Sequence, residues 1–144
     1  MDFVKFVFVC TLVTALLITS QAQENSAKYW LEKGQTLSSN GSYQDALSSF
    51  NRSLGLDSRQ TEAWTRKGDV LYKLGRYEAA ANCYDQAVGI DSENLMAWEG
   101  KGLAASKLGR YKMARLSFEA ALRRDTNNRD LLTYMAQVLN KLGE

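Results

Sequence analysis

The residues that could carry out chemistry are few in this sequence and lie far apart. It contains no histidine, which is the commonest general base and the commonest metal ligand in proteins. Its cysteines, Cys10 and Cys83, form no Cys-x-x-Cys motif, and its acidic residues show no metal-binding spacing. No glycine-rich stretch matches a phosphate-binding loop. We therefore predict a protein that is not an enzyme and uses no cofactor and no metal ion, with Cys83 as a small apolar helix residue.

Three tryptophans and two sequons suggest carbohydrate chemistry instead. Trp30, Trp64 and Trp98 could stack on sugar rings, but they recur at a fixed interval of 34 residues, which favours a packing role in a repeated structure. Asn40 in "NGS" and Asn51 in "NRS" have the sequence of N-glycosylation acceptors, although such triplets also arise by chance. A carbohydrate binder or an enzyme is kept only as a third alternative.

Many other residues recur at the same interval. "KLGRY" stands at residues 73–77 and again at 107–111, and "KLGE" begins a third copy at Lys141. Self-similarity at such a period is typical of a solenoid of stacked supersecondary units. The repeated positions are Trp30, Gly34, Gly41, Tyr43, Ala46 and Phe50; then Trp64, Gly68, Gly75, Tyr77, Ala80 and Tyr84; then Trp98, Gly102, Gly109, Tyr111, Ala114 and Phe118.

Each unit has the pattern of two helices joined by a short turn. In the second unit, Trp64, Gly68 and Leu71 follow a helical spacing. Gly75 suits the left-handed position that ends a helix, and Tyr77 begins the next one. The chain has no proline to interrupt these helices. The sequence thus predicts an all-α fold in which "KLGRY" joins one helix to its partner.

The pattern "W..KG..L...G.Y..A...Y..A...D" resembles the tetratricopeptide repeat family at its small, aromatic and turn positions together. The resemblance implies a right-handed solenoid of three helix-turn-helix repeats and a C-terminal capping helix. These units lie at residues 27–60, 61–94, 95–128 and 129–144. In one respect the sequence departs from the family, which usually has proline after the aspartate that closes each unit. The residues in that place here are Ser58, Ser92 and Thr126.

The last unit contains only a first helix, like the lone capping helix that is common in the family. We expect an apolar face to cover the preceding pair and a polar face to meet water. "KLGE" need not then mark a truncation, since the cap would end where the next helix would begin. The expected apolar face is Leu132, Met135, Ala136, Leu139 and Leu142, and the polar face is Asp130, Thr133, Gln137, Asn140 and Lys141.

Residues 1–22 have the pattern of a secretory signal peptide. Lys5 precedes an apolar run, and the small residues Ser20 and Ala22 predict cleavage after Ala22. The alternative is an uncleaved N-terminal membrane anchor, although a membrane span needs roughly 20 apolar residues. Either outcome exports the rest of the chain, so we expect an extracytoplasmic protein. It would be secreted, periplasmic or at the cell surface, or anchored to the membrane by this segment.

The resemblance also implies a binding surface. In the tetratricopeptide family the first helices of the pairs line a concave groove, which usually binds a peptide or a helix of another protein. Members that clamp the carboxylate ends of heat-shock chaperones use lysine and asparagine where this chain has Leu31 and Gln35, so we expect that clamp to be missing. The residues expected in the groove are Lys28, Leu31, Glu32, Gln35, Thr65, Arg66, Asp69, Tyr72, Lys73, Glu99, Leu103, Lys107, Tyr134 and Gln137.

The function implied is an exported, non-catalytic adaptor or scaffold that binds a partner protein. The alternative is a structural or self-assembling subunit tethered at the membrane, and self-association is compatible with both. A formal net charge of +2 does not favour nucleic acid as a partner. We expect contact with a membrane only through the N-terminal segment, if that segment stays uncleaved.

Overall fold

The computed structural model describes residues 7–14 and 26–143. Residues 7–14 are helical and exposed, and residues 26–143 form seven further helices. Neither described part contains a strand, so the predicted all-α class is confirmed for them. None of the described helices is long and apolar enough to cross a membrane, and the predicted cleavage site after Ala22 lies outside the described residues. The helices are α1 (Ala27–Ser39), α2 (Tyr43–Leu56), α3 (Thr61–Lys73), α4 (Tyr77–Ile90), α5 (Leu95–Lys107), α6 (Tyr111–Leu122) and α7 (Arg129–Leu142).

Consecutive helices form pairs, and the pairs stack on one another. The pairs are α1 with α2, α3 with α4, and α5 with α6, and α7 packs on α6. The first helices of neighbouring units also touch: α1 contacts α3, α3 contacts α5, and α5 contacts α7. Within the described part, the second helices α2, α4 and α6 make no such contacts with one another. The stack therefore curves with the first helices on its inner side.

The turn within each pair uses glycine in the left-handed conformation. Gly75 has a φ of 73°, which residues with a β-carbon rarely adopt. Around it, the backbone N–H of Arg76 donates to the carbonyl of Leu71 at 2.9 Å, and the N–H of Gly75 donates to the carbonyl of Tyr72 at 2.9 Å. These two bonds satisfy carbonyls that the helix end leaves free. The glycine in "KLGRY" is therefore the stop of the first helix.

A glycine in the middle of each first helix lets the second helix come close. A β-carbon added to Gly68 would lie 2.7 Å from Cε1 of Tyr84 on the partner helix, nearer than real β-carbons come. The ring thus occupies the space that a side chain would need, and Tyr84 is only 2% exposed. The other two units repeat this contact with the pairs Gly34–Phe50 and Gly102–Phe118.

The loops between units are held by an aspartate and a tryptophan rather than by a proline. The Asp57 carboxylate accepts a hydrogen bond from the backbone N–H of Arg59 at 3.0 Å. The indole N–H of Trp64 donates to the carbonyl of Ser58 at 2.9 Å. The loop before α5 repeats both bonds at the equivalent residues. These side chains take over the restraint that proline would supply through its fixed φ.

Buried side chains form two core clusters that run through the stack. One joins the first two units to α5, and the other joins α5, α6 and α7. Met135 and Leu142, from the apolar face predicted for α7, pack against the second cluster. No residue of 7–14 belongs to either cluster. Residues 26–143 therefore form a complete folded body without them.

The last helix packs through only part of the apolar face predicted for it. Leu131 is 0% exposed and Val138 is 2% exposed, whereas Leu132 is 49% exposed and Ala136 is also exposed. The expectation that Leu132 and Ala136 cover the preceding pair is therefore wrong. The reason is their place in the repeat. Leu131 and Val138 occupy positions through which each first helix contacts the preceding unit, while Leu132 and Ala136 occupy positions that face a second helix of the same unit.

Replacing Gly102 with alanine should destabilise the protein, because the added methyl group would meet the Phe118 ring. We expect the free energy of unfolding to fall by roughly 1–3 kcal/mol, the usual cost of overpacking a core. Gly89→Ala is the matched control, since Gly89 lies in α4 with no atom within 4 Å of an added β-carbon. That substitution should stabilise by roughly 0.5–1 kcal/mol. Urea unfolding followed by circular dichroism measures both, and equal effects would contradict the close helix approach.

Candidate protein-binding groove

An open groove runs along the inner side of the solenoid. It has three sections, of about 430 Å³ between α1 and α3, about 280 Å³ between α3 and α5, and about 630 Å³ between α5 and α7. We call them the N-terminal, central and C-terminal sections. Asp69 and Lys73 line both of the first two sections, and Tyr72 and Leu103 line both of the last two. Because neighbouring sections share these walls, the groove is continuous.

Most of the residues predicted for a groove do line it. Of the others, Lys28, Leu31 and Glu32 lie on α1 outside the three sections, with Lys28 and Glu32 in an exposed ion pair at 3.8 Å. Thr65 is only 3% exposed, and its hydroxyl donates to the carbonyl of Thr61, so it does not face the groove. The predicted residues that line the groove are Gln35, Arg66, Asp69, Tyr72, Lys73, Glu99, Leu103, Lys107, Tyr134 and Gln137.

The central section holds two partly buried carboxyl groups. The Tyr84 hydroxyl donates a hydrogen bond to Oδ1 of Asp69 at 2.8 Å. Burial raises the pKa of Asp69, while this hydrogen bond and the nearby cations of α3 oppose the shift. Burial also raises the pKa of Glu99, and the charges of Asp130 and Asp69 add to it. A positive charge bound between the two carboxylates would offset part of these penalties.

The Tyr84 ring reaches the central section because α5 has a glycine where the other first helices have long side chains. Gly100 is in register with Glu32 and Arg66 in the 34-residue repeat. A β-carbon at Gly100 would overlap the ring of Tyr84. Met96, which is 48% exposed, forms one apolar wall. The Tyr84 ring is therefore the floor of a pocket with apolar walls, and its rim carries the two carboxyl groups of Asp69 and Glu99 together with the ammonium group of Lys73.

The bond between Tyr84 and Asp69 is particular to the second unit. At the register position of Asp69, a carboxylate is present only in the unit whose aromatic ring on the second helix carries a hydroxyl. The equivalents of Tyr84 are Phe50 and Phe118, and the equivalents of Asp69 are Gln35 and Leu103. Sequence reasoning named both residues but missed the bond. Comparing the units position by position would have found it.

The C-terminal section is aromatic and positively charged. Tyr72, Tyr111 and Tyr134 line it together with Lys107 and Lys141. No acidic side chain is among its lining residues in the described part of the chain. A lysine ammonium pairs well with a carboxylate, and the tyrosine rings offer apolar surface with a polar edge. This section suits an acidic side chain next to an apolar one.

The N-terminal section is polar, and its side chains partner one another. The Gln35 amide donates to Oε1 of Glu62 at 2.7 Å, which links α1 to α3. The Arg66 guanidinium lies 3.6 Å from Glu62 and 3.8 Å from Asp69. A ligand here would have to replace these contacts, so this section adds less to binding than the other two.

Several residues that line the groove were not predicted for it from the sequence. Most lie one helical turn from a predicted residue, so the spacing of three and four along each first helix was the signal that could have found them. They are Ser38, Ser39, Phe50, Glu62, Tyr84, Met96, Gly100, Ser106, Tyr111, Asn140 and Lys141.

The other side chains singled out from the sequence lie away from the groove. Trp98 lines a shallow concavity on the opposite side of its helix pair, beside α6. Cys83 is 5% exposed, and burial raises the pKa of its thiol, as suits a small apolar residue in a helix. Among the described residues, no group of three or more cysteine or acidic side chains could hold a metal ion.

Sequence and structure comparisons agree on the fold. A family model described as tetratricopeptide repeat matches residues 31–94 and again residues 65–129. The two matches together span more than half of the chain. No curated protein sequence matches it.

Three solved structures illustrate the likeness. The first TPR of Spaghetti (RPAP3), bound to the HSP90 peptide SRMEEVD, has a TM-score of 0.81 at 19% identity and covers 83% of this chain and 94% of that one. The second TPR domain of human RPAP3, in complex with the HSP70 peptide SGPTIEEVD, has a TM-score of 0.74 at 23% identity, with 82% and 96% covered. A crystal structure of MamA has a TM-score of 0.82 at 18% identity, with 99% and 86% covered. These identities establish the shared fold alone.

Asp69→Asn should stabilise the protein at neutral pH. Because the pKa of Asp69 is raised above 3.8, the folded state binds its proton more tightly than the unfolded state does. The stability from this carboxyl is present below pH 3.8 and is lost as the pH rises through the folded pKa. Asparagine does not ionise, so it does not lose this stability as the pH rises. Its side-chain oxygen still accepts the hydrogen bond from the Tyr84 hydroxyl. Urea unfolding at neutral pH and below pH 3.8 should show a gain that shrinks in acid.

Asp69→Ala is the control for this prediction, because alanine leaves the Tyr84 hydroxyl without its acceptor. It should cost roughly 1–3 kcal/mol of unfolding free energy. If Asp69→Asn is less stable than the parent at neutral pH, the attraction of the carboxylate to the α3 cations outweighs its burial, and the prediction is wrong.

Proposed function

The chain belongs to the tetratricopeptide repeat family, and from this premise we propose a non-catalytic adaptor, exported from the cytoplasm, that holds a segment of a partner protein in the groove. The continuity of the groove is the observation that carries the proposal. It passes through three sections, its lining mixes apolar and charged side chains, and no described part of the chain covers it. The tetratricopeptide fold is a protein-interaction module, and such surfaces are typical of protein interfaces.

The central section favours a lysine or arginine side chain in the partner. Its long apolar stem fits between Met96 and Leu103, over the floor formed by Tyr84. Its charged end reaches the carboxylates of Asp69 and Glu99, whose pKa values burial has raised. A bound cation therefore gains two opposite charges at a site already partly shielded from water, where such pairing is stronger than at an exposed surface.

The C-terminal section favours an acidic side chain with an apolar neighbour. Lys107 and Lys141 supply the positive charge, and three tyrosine rings supply the apolar surface. The preferred partner segment therefore carries a basic residue and, further along, an acidic and an apolar residue. This order of charges also sets the direction in which the segment lies, because the reverse direction would place like charges together.

The chaperone tails bound by the similar structures are a poor fit to this groove. Those peptides end in EEVD, and the family resemblance implies that such ends are held by lysine and asparagine. Here the matching positions are Leu31 and Gln35, and Gln35 is already bonded to Glu62. Export would also separate the protein from chaperones of the cytosol. We propose an internal segment of an extracytoplasmic protein as the ligand instead.

Peptide selection tests the proposed function. A displayed library of random peptides, selected on residues 23–144, should yield ligands that contain a basic residue. Glu99→Gln removes one charge without changing shape, and it should weaken binding roughly tenfold, which is about 1.4 kcal/mol. A ligand whose basic residue is changed to methionine should bind the parent and Glu99→Gln alike. Isothermal titration calorimetry on all four combinations gives the coupling between the two charges.

Leu103→Ala and Leu116→Ala form the matched pair for this experiment. Leu103 lines the central and C-terminal sections, while Leu116 is 57% exposed on the opposite side of its helix pair. Only Leu103→Ala should weaken binding. If the library yields no ligand, the adaptor function is refuted. If a ligand is weakened only by Leu116→Ala, the binding site lies outside the groove.

Export has its own test. The parent should appear outside the cytoplasm with a new N-terminus at Gln23, as read by intact mass. Ala22→Phe should block this processing, because signal peptidase requires a small residue before the cut. Full-length protein that stays in the membrane fraction would instead support the N-terminal anchor, and full-length protein in the cytosol would refute export.

A further inference from the structure

The outer face of α7 is apolar and exposed. Leu132 is 49% exposed, Ala136 is exposed, and Leu139 is half-buried. They follow one another at intervals of four and three residues, the spacing of a coiled-coil seam. We call these three residues the end face. Within the described part of the chain, no helix packs on it.

The repeat shows that this face has the geometry to receive a helix. Leu132, Ala136 and Leu139 continue the register of the α5 positions that pack against α6 in the third unit. In that unit the Phe118 ring fills the space beside the small residue. Ala136 is the small residue of the end face, so a partner helix can approach closely there. The α5 positions are Trp98, Gly102 and Ala105.

The opposite end of the solenoid is polar, which argues against head-to-tail stacking. Later first helices meet the preceding unit through buried apolar residues, such as Ala63 and Val70 of α3. The matching residues of α1 are Tyr29, which is half-buried, and Thr36, which is exposed. Stacking the end face on α1 would bury Thr36 against leucine, and its hydroxyl, which donates to the carbonyl of Glu32 at 3.0 Å, would lose its contact with water. Unlike α1, a second end face offers an apolar surface of the same size and spacing.

We propose that two copies of the protein pair through their end faces, with the two α7 helices antiparallel about a two-fold axis at Ala136. Such an interface is self-complementary and closes at two subunits. Arg129 lies one heptad before Ala136, on the same side of the helix. Antiparallel packing sets each Arg129 beside the last turn of the partner helix, whose carbonyls carry partial negative charge. Parallel packing would set the two arginines against each other.

The pairing leaves the groove open, so it does not rest on the proposed function. Tyr134 and Gln137 point into the groove from the side of α7 away from the end face. A dimer therefore carries two grooves. Association and peptide binding can be measured separately, and either can fail without the other.

Sedimentation equilibrium of residues 23–144 tests the dimer, since this fragment contains the complete folded body. The mass should rise from that of one chain to that of two as the concentration increases. Leu132→Glu should shift the midpoint to at least tenfold higher concentration. Leu116→Glu, an equal change at another exposed leucine, should not shift it. Monomers up to about 1 mM, or a loss of pairing only with Leu116→Glu, would overturn the proposal.

A cysteine crosslink tests the antiparallel arrangement. Ala136→Cys faces its own copy on the two-fold axis and should form a disulfide-linked dimer under mild oxidation. Leu132→Cys should not, because its two copies would lie about 12 Å apart along the helices, at 1.5 Å per residue. Parallel pairing would crosslink both variants equally and would overturn the arrangement. The parent, in which Cys83 is buried, is the background control.

Discussion

The whole structure depends on one contact that the three units repeat, in which a glycine of the first helix lies against an aromatic ring of the second. Without a β-carbon at Gly68, the Tyr84 ring reaches the helix backbone and the two helices approach closely. The pairs then stack so that first helices touch one another on the inner side. The groove exists because of this curvature. A small residue in the core thus determines the shape of the binding surface.

Tyr84 connects the core to the groove. Its ring fills the space beside Gly68 and Gly100, and its hydroxyl binds Asp69 at the rim of the central section. The same side chain therefore supports the helix pair and holds a carboxylate at the rim of the groove. In the first and third units the ring is a phenylalanine, and no carboxylate stands above it. Among the three units, only the second links its packing ring to a carboxylate of the groove in this way.

Residues that repeat build the scaffold, and residues that do not repeat build the sites. The glycines and aromatic rings recur in every unit because every helix pair must meet the same packing requirement. Most lining positions do not share that requirement, so Gln35, Asp69 and Leu103 stand at one and the same place in three units. These differences divide the groove into polar, acidic and basic sections. The apolar end face arises in a similar way. Leu132 occupies a position that packs against a second helix in the earlier units, but no described helix covers it here.

The sequence by itself determined the helix pairs and their turns, because glycine stops and helical spacing act between near neighbours. Only the tertiary structure decided how deeply each side chain lies. Thr65 is buried although its spacing matches the groove, and the pocket above Tyr84 exists only because Gly100 meets that ring. On α7, two apolar stripes lie one residue apart, and their composition is too similar to distinguish them. Leu131 is buried and Leu132 is exposed because α7 packs against the preceding pair alone. These contacts join residues that are distant in sequence, so local spacing does not reveal them.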